Sequence, residues 1–166
     1  MKEILKKDKF DGKRIYYWNN GDLYEGDWKN DKKEGKGIYY YNDGDRYEGD
    51  FKKDKFDGKG IYNGTNGDRY EGNWKNDKKE VKGMMFYNDG DRYEGDWKNG
   101  IFDGKGIMYW NNGERYEGDW KNDKFEGKGI YYFQSGNREM GDYLNGKEIG
   151  THACLYPNGK VVENKY

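Results

Sequence analysis

The sequence predicts an all-β protein, an elongated single-layer twisted antiparallel sheet built from tandem 23-residue β-hairpin repeats. Three observations predict it. A Tyr-Glu-Gly block begins at Tyr24, Tyr47, Tyr70, Tyr93 and Tyr116, each 23 residues after the last, and ends on Gly26, Gly49, Gly72, Gly95 and Gly118. An aromatic follows two residues later, at Trp28, Phe51, Trp74, Trp97 and Trp120, and glycine pairs return on the same step at Gly35/Gly37, Gly58/Gly60, Gly104/Gly106 and Gly127/Gly129. Between these marks lie short β-prone stretches bounded by Asn, Asp and Gly, the punctuation of hairpins.

In order along the chain, one array spans residues 1–166. It divides into units 1–23, 24–46, 47–69, 70–92, 93–115, 116–138 and 139–161, and residues 162–166 are predicted to form a closing strand. The first unit carries Met1 to Leu5 in the Tyr-Glu-Gly-Asp-Trp positions. It and the last unit are degenerate, as expected of caps on a solenoid-like array. In the copy beginning at Tyr47, strands are predicted over Arg46 to Phe51 and Gly58 to Gly64, with a turn at Lys52-Lys53-Asp54-Lys55. Links such as Asn42-Asp43-Gly44-Asp45 join successive hairpins, where φ > 0 costs least. Pro157 is the only proline, so almost every residue can donate to a ladder. At roughly 4.8 Å per strand, fourteen strands span about 67 Å.

A register symmetric about each turn places Tyr47, Gly49 and Phe51 opposite Tyr62, Gly60 and Gly58, and Tyr62 opposite Tyr70 of the next unit. Period-2 alternation puts all of these on one face, a face of rings and glycines. The other face is expected to set Lys59 across from Asp50, Ile61 across from Glu48 and Tyr40 across from Arg46. Each such pair contributes roughly 0.2–1 kcal/mol.

Composition supports order without an ordinary core. Hydrophobic residues are 32% and charged residues 38%, which taken alone suggest disorder, but aromatic residues are 19% and disordered chains are depleted in them. Net charge is −1, from 31 basic and 32 acidic residues interspersed along the chain. No basic field is available for a polyanion, so nucleic acid is not expected as a partner. Cys154 is the single cysteine and forms no intrachain disulfide. The opening MKEILKKDKF has no apolar run of signal-peptide length, so a cytoplasmic location is expected, at most peripheral to a membrane.

The unit YEGDWKNDKKEGKGIYYYNDGDR, Tyr24 to Arg46, closely resembles the MORN repeat, the membrane occupation and recognition nexus motif. The resemblance covers essentially the whole chain, with departures at Arg14 and Val81, where glycines are expected, and at Glu139, where tyrosine is expected. It implies one hairpin per repeat in a gently twisted sheet. It also implies a scaffold or targeting role of the kind found in cytoskeletal and membrane-junction assemblies, sometimes ahead of a separate catalytic domain. No catalytic residue belongs to the repeat.

The sharper chemical readings are weak. His152 stands where other units have a glycine, and with Cys154 it reads as a degenerate terminal unit in preference to a nucleophilic pair. Two ligands make no metal site. The acidic loops lack EF-hand spacing and read as turns, and the glycine pairs lack the following helix of a phosphate loop. Arg46, Arg69, Arg92 and Arg115 form a row that reads as cation–π support, with an anionic-ligand row as the functional alternative; three of them are expected to face Tyr40, Phe86 and Tyr109. No cofactor, metal or catalysis is therefore expected. The leading expectation is a protein-interaction scaffold, whose partner is another protein or a second copy of the chain. Alternatives are binding to acidic phospholipid head groups and to cell-wall or other carbohydrate through aromatic rows.

Overall fold

The computed structural model describes residues 9–166, and the copy predicted at Met1 to Leu5 lies outside them. Fourteen strands follow in sequence order. They are β1 (Gly12–Tyr17), β2 (Leu23–Lys29), β3 (Lys32–Tyr40), β4 (Arg46–Lys52), β5 (Lys55–Asn63), β6 (Arg69–Lys75) and β7 (Lys78–Phe86), then β8 (Arg92–Lys98), β9 (Ile101–Tyr109), β10 (Arg115–Lys121), β11 (Lys124–Tyr132), β12 (Arg138–Leu144), β13 (Lys147–Leu155) and β14 (Val161–Lys165). Every strand pairs antiparallel with its sequence neighbours in one open 14-stranded sheet, and no helix is present among the described residues.

Two kinds of turn alternate. At the tip of each hairpin only two residues form the turn, and the strands run up to them: Lys52 pairs with Lys55 around Lys53 and Asp54, which have φ of 51° and 72°. Asn30-Asp31, Asn76-Asp77 and Asn122-Asp123 repeat this conformation, with both residues at positive φ as in a type I′ turn whose twist matches the flanking strands. Asn and Asp tolerate that region better than most residues. Between hairpins the loop is longer, and only its glycine is left-handed. Gly44, at φ 96°, donates its N–H to the Tyr41 carbonyl, while the Tyr41 N–H bonds the Asp45 carbonyl.

The register departs from symmetry at one place in each hairpin. Tyr47 faces Tyr62, Gly49 faces Gly60, Glu48 faces Ile61 and Tyr62 faces Tyr70, but Phe51 faces Phe56 and not Gly58. A bulge intervenes. The single residue Asp50 stands against Asp57, Gly58 and Lys59, and its carboxylate accepts the Lys59 N–H at 2.8 Å. Lys59 therefore pairs across the next ladder with Asn73, and the Lys–Asp opposition expected within a hairpin occurs between hairpins, as in Lys36 with Asp50. Asp27, Asp96 and Asp119 accept the corresponding bulge N–H groups of Lys36, Lys105 and Lys128. The acidic residue after Tyr-Glu-Gly thus satisfies a backbone donor that the bulge removes from the ladder.

Both loop edges are stapled from unit to unit. On one edge Asp54 and Asp77 accept the N–H groups of Lys33 and Phe56 at 2.8 Å. On the other, Asp22, Asp45, Asp68 and Asp91 accept those of Asn42, Thr65, Asn88 and Asn111 at 2.8–2.9 Å.

Val81 occupies the bulge position of its unit at φ 61°, where Gly35, Gly58, Gly104 and Gly127 also have positive φ. A β-branched residue there is strained. The same unit has Asn73 in place of the acceptor aspartate, and its amide donates to the Lys82 carbonyl instead. Replacing Val81 with glycine relieves the strain and is expected to stabilise the protein by about 1 kcal/mol. A urea midpoint that rises at constant m-value checks it, and an unchanged or lower midpoint contradicts it.

Candidate functional site

The sheet presents two unlike faces. On the first, the rings of Tyr24, Tyr47, Tyr70, Tyr93 and Tyr116 are essentially fully buried although the sheet is one layer thick. Each ring lies flat on a cross-strand glycine pair. Tyr24 covers Gly26 and Gly37, and Tyr47 covers Gly49 and Gly60; Tyr70, Tyr93 and Tyr116 cover Gly72/Gly83, Gly95/Gly106 and Gly118/Gly129. A Cβ at either glycine of a pair would overlap the ring. Each hydroxyl donates to the carbonyl three residues on, as Tyr47 does to Asp50 at 3.0 Å. The rings continue edge-on from unit to unit: Tyr47 meets Phe51 at 5.2 Å and Trp74 at 5.4 Å, and Tyr93 meets Trp97 at 5.3 Å and Trp120 at 5.4 Å. Such pairs contribute about 0.5–1.5 kcal/mol beyond the area they bury. Trp74, Trp97 and Trp120 donate their indole N–H to the carbonyls of Gly60, Gly83 and Gly106. Trp28, whose upstream glycine is replaced by Arg14, has a buried indole nitrogen with no partner among the described residues. Gly35, Gly58 and Gly104 stand at the bulges with positive φ.

Beside each buried tyrosine lies a side chain from the next strand. In three units it is phenylalanine, stacked on the ring: Phe56 on Tyr47 and Phe102 on Tyr93 at 3.6 Å, and Phe125 on Tyr116 at 3.7 Å. In two units it is lysine, to which the sequence reading assigned no role. Lys33 Nζ lies 4.2 Å from the Tyr39 ring centre and 5.3 Å from Trp18, and Lys79 Nζ lies 4.9 Å from Tyr70 and 4.8 Å from Trp97. Burial holds both ammonium groups below the usual lysine range, against the pull of nearby aspartates.

The last unit moves its ring to the other strand. Glu139 stands where tyrosine is expected, and His152 fills the vacated seat: it is 0% exposed, its ring covers Gly141, and Nε2 lies 2.9 Å from the Asp142 carbonyl, as the tyrosine hydroxyls do in their units. Glu139 accepts from Tyr166 at 2.8 Å and Asn164 at 3.3 Å and lies 3.5 Å from His152 Nδ1. Losing a tyrosine from one strand and gaining an imidazole on its neighbour was the signal in the sequence. Cys154 is buried nearby, opposite Glu139. Among the described residues, no group of three His, Cys, Asp or Glu side chains could hold a metal ion.

The second face carries three rows that cross the strands. The first alternates arginine with large side chains, and each guanidinium lies over a ring: Arg46 over Tyr40, Arg69 over Phe86, Arg92 over Tyr109 and Arg115 over Tyr132. Arg92 and Arg115 face Phe86 and Tyr109 across the preceding ladder as expected, but their guanidiniums turn to the ring within their own hairpin. Arg46 and Arg69 also pair with Glu48 and Glu71. The second row alternates acid with aliphatic: Glu25, Ile38, Glu48, Ile61, Glu71 and Met84 face one another in succession, continuing through Glu94, Ile107, Glu117 and Ile130. The third pairs Lys36 with Asp50, Lys82 with Asp96, Lys105 with Asp119 and Lys128 with Asp142 at 2.6–3.1 Å. Between the second and third rows runs a trough floored by glycine backbone. It extends from Lys13 in β1 to Thr151 in β13, with a volume of about 1760 Å³.

The MORN repeat pattern matches residues 24–46, 47–69, 70–92, 93–115 and 116–138. The chain belongs to the MORN repeat family. No curated protein matches it. Among solved structures, similarity extends to the TCP domain of SAS-4 (dCPAP) of Drosophila melanogaster in complex with a proline-rich motif of Ana2, at 15% identity over 93% of this chain and 90% of that one, with a TM-score of 0.46. The G-box domain of the microcephaly protein CPAP matches at 14% identity over 93% of this chain and 99% of that one, with a TM-score of 0.30. Virginiamycin B lyase from Staphylococcus aureus matches at 10% identity over 93% and 70%, with a TM-score of 0.24.

Two outcomes follow from the ring-on-glycine seat. Gly60→Ala forces a methyl group into the Tyr47 ring and is expected to cost roughly 3 kcal/mol in denaturant unfolding; a loss under about 1 kcal/mol contradicts the seat. Burial also raises the phenols of Tyr24, Tyr47, Tyr70, Tyr93 and Tyr116 well above the ordinary range. Their contribution to stability is complete below about pH 10, the unfolded value, and falls as pH rises towards the folded values. Tyrosinate absorbance from these residues is expected to appear together with loss of β-sheet circular dichroism. Their ionisation in a sheet that stays folded contradicts it.

Proposed function

We propose that the chain is a non-catalytic scaffold that binds a partner polypeptide along the trough of its charged face. One observation carries this: an open trough of about 1760 Å³ that crosses most of the sheet, with an aliphatic side chain on its wall in every unit from Ile15 to Ile130. A long, shallow surface with repeated apolar contacts and charged rims suits an extended chain better than a compact substrate. Catalysis needs unlike groups converging on one point, and here the charged groups repeat in rows, while His152 is committed to packing. The acidic row favours a polypeptide over an anionic lipid surface. Glu25, Glu48, Glu71, Glu94 and Glu117 line one wall, and most lysines of the other wall are neutralised by aspartates of the next unit.

Ile61→Ser and Ile107→Ser together remove two wall contacts from half-buried positions. Affinity capture from the native cell, comparing wild type with this double variant at matched thermal midpoints, is expected to lose the partner at least tenfold. Undiminished capture moves the partner off the trough. Sedimentation with anionic vesicles that is equally strong for both proteins replaces the polypeptide with lipid.

A further inference from the structure

One column of the array has a gap. Six loops between hairpins, counting the one after the last, begin with an aromatic residue, at Trp18, Tyr41, Tyr87, Trp110, Phe133 and Tyr156, and one begins with Gly64. The loop itself is unchanged. Gly64 N–H bonds the Asp68 carbonyl at 2.8 Å and Gly67 N–H bonds the Gly64 carbonyl at 3.0 Å, matching the 2.9 and 3.0 Å of the Tyr41 loop. Only the ring is missing. Its neighbours in the column are half-buried on the aromatic face, enough that burial pushes the Tyr41 and Tyr87 phenols up to about 12.

Where the ring is missing, a cleft of about 750 Å³ opens on the aromatic face. Phe56, Tyr70 and Trp74 line it together with Tyr41 and Tyr62, so a flat group entering it meets rings, as Tyr41 and Tyr87 do in their own units. Its charge is unbalanced. Five carboxylates line it, Asp43, Asp45 and Asp68 from the loop edge and Asp54 and Asp77 from the other, against the two ammonium groups of Lys33 and Lys79. Those ammonium groups rest on rings of the sheet, and neither has a carboxylate partner within 4.0 Å among the described residues. The carboxylates accept from backbone N–H groups and from the Tyr62 hydroxyl, which orients them without neutralising them. This face therefore takes cations against its aromatic rings, and at Gly64 it offers both a ring-sized space and spare negative charge.

We propose that the cleft at Gly64 binds an aromatic cation, its ring filling the gap in the column and its positive group facing Asp43, Asp45 and Asp68. Such a ligand is either a free aromatic amine or a tyrosine or tryptophan beside a basic residue in a polypeptide. The cleft lies on the face opposite the trough and stands or falls independently of it.

Titration of the protein with tyramine, with the carboxylate analogue of tyramine and with N-acetyl-Arg-Tyr-amide, followed by amide NMR, tests it. Tyramine is expected to shift the Thr65, Asn66 and Gly67 amides saturably and to bind at least tenfold more tightly than the carboxylate. Tighter binding of the dipeptide assigns the ligand to a polypeptide, and equal binding to a free amine. Gly64→Tyr places in the loop the residue that Tyr41 already is; its Cβ displaces the Asn66 amide oxygen, which would lie 2.6 Å away, and the variant is expected to abolish these shifts while circular dichroism shows the sheet retained. Asp43→Asn keeps the turn, since Asn66 and Asn112 accept the same N–H in their loops, and is expected to weaken tyramine several-fold. Equal binding of the two charge analogues, shifts that persist in Gly64→Tyr, or no saturation at millimolar tyramine overturns the proposal.

Discussion

The structure depends on one steric exchange. A sheet of one layer has no second layer to cover its aromatic side chains, so the buried surface must come from the sheet itself. Removing the side chains from two facing positions, as at Gly49 and Gly60, lets a ring lie directly on the backbone and be sealed from above by rings of its own and the next unit. Glycine in a strand normally costs stability and packs nothing. Here the absent Cβ atoms are the seat, and a row of rings shares the role of a core. The terminal unit keeps the seat and changes its supplier: the ring comes from His152 while Glu139 ties down the last strand through Asn164 and Tyr166.

The same arrangement fixes the opposite face. Bulges return the strands to register after the ring-bearing segment, and the aspartates that satisfy those bulges also hold the lysines of the third row. The glycines that seat rings on one side expose bare backbone on the other, and that backbone floors the trough. The two faces are consequences of one residue choice. Surface ion pairs along the rim contribute about 0–1 kcal/mol each, so their weight lies in orienting charge along the trough more than in holding the sheet together.

Much of this was legible in the sequence. Among the described residues the 23-residue step placed the hairpins, and period-2 alternation put Tyr47, Gly49, Gly60 and Tyr62 on one face, opposite the partners they have. The bulge was not legible, because symmetric pairing around Lys53-Asp54 is equally consistent with the composition, and only the Asp50 carboxylate bonded to the Lys59 N–H distinguishes the two. Lys33 and Lys79 drew no reading from the sequence, since a lysine whose stem crosses an aromatic surface has the same letter as one in water.

The staples along both loop edges bear on how the array carries load. Each joins a turn to a partner about twenty residues away in the neighbouring unit, so tension applied between the two ends of the strip is not borne by one ladder at a time. A ladder pulled perpendicular to its strands opens like a zipper. Here each ladder is closed by the chain itself at one margin and by a carboxylate bond at the other, and that bond must yield before the ladder opens, which makes the array a tape reinforced at its edges.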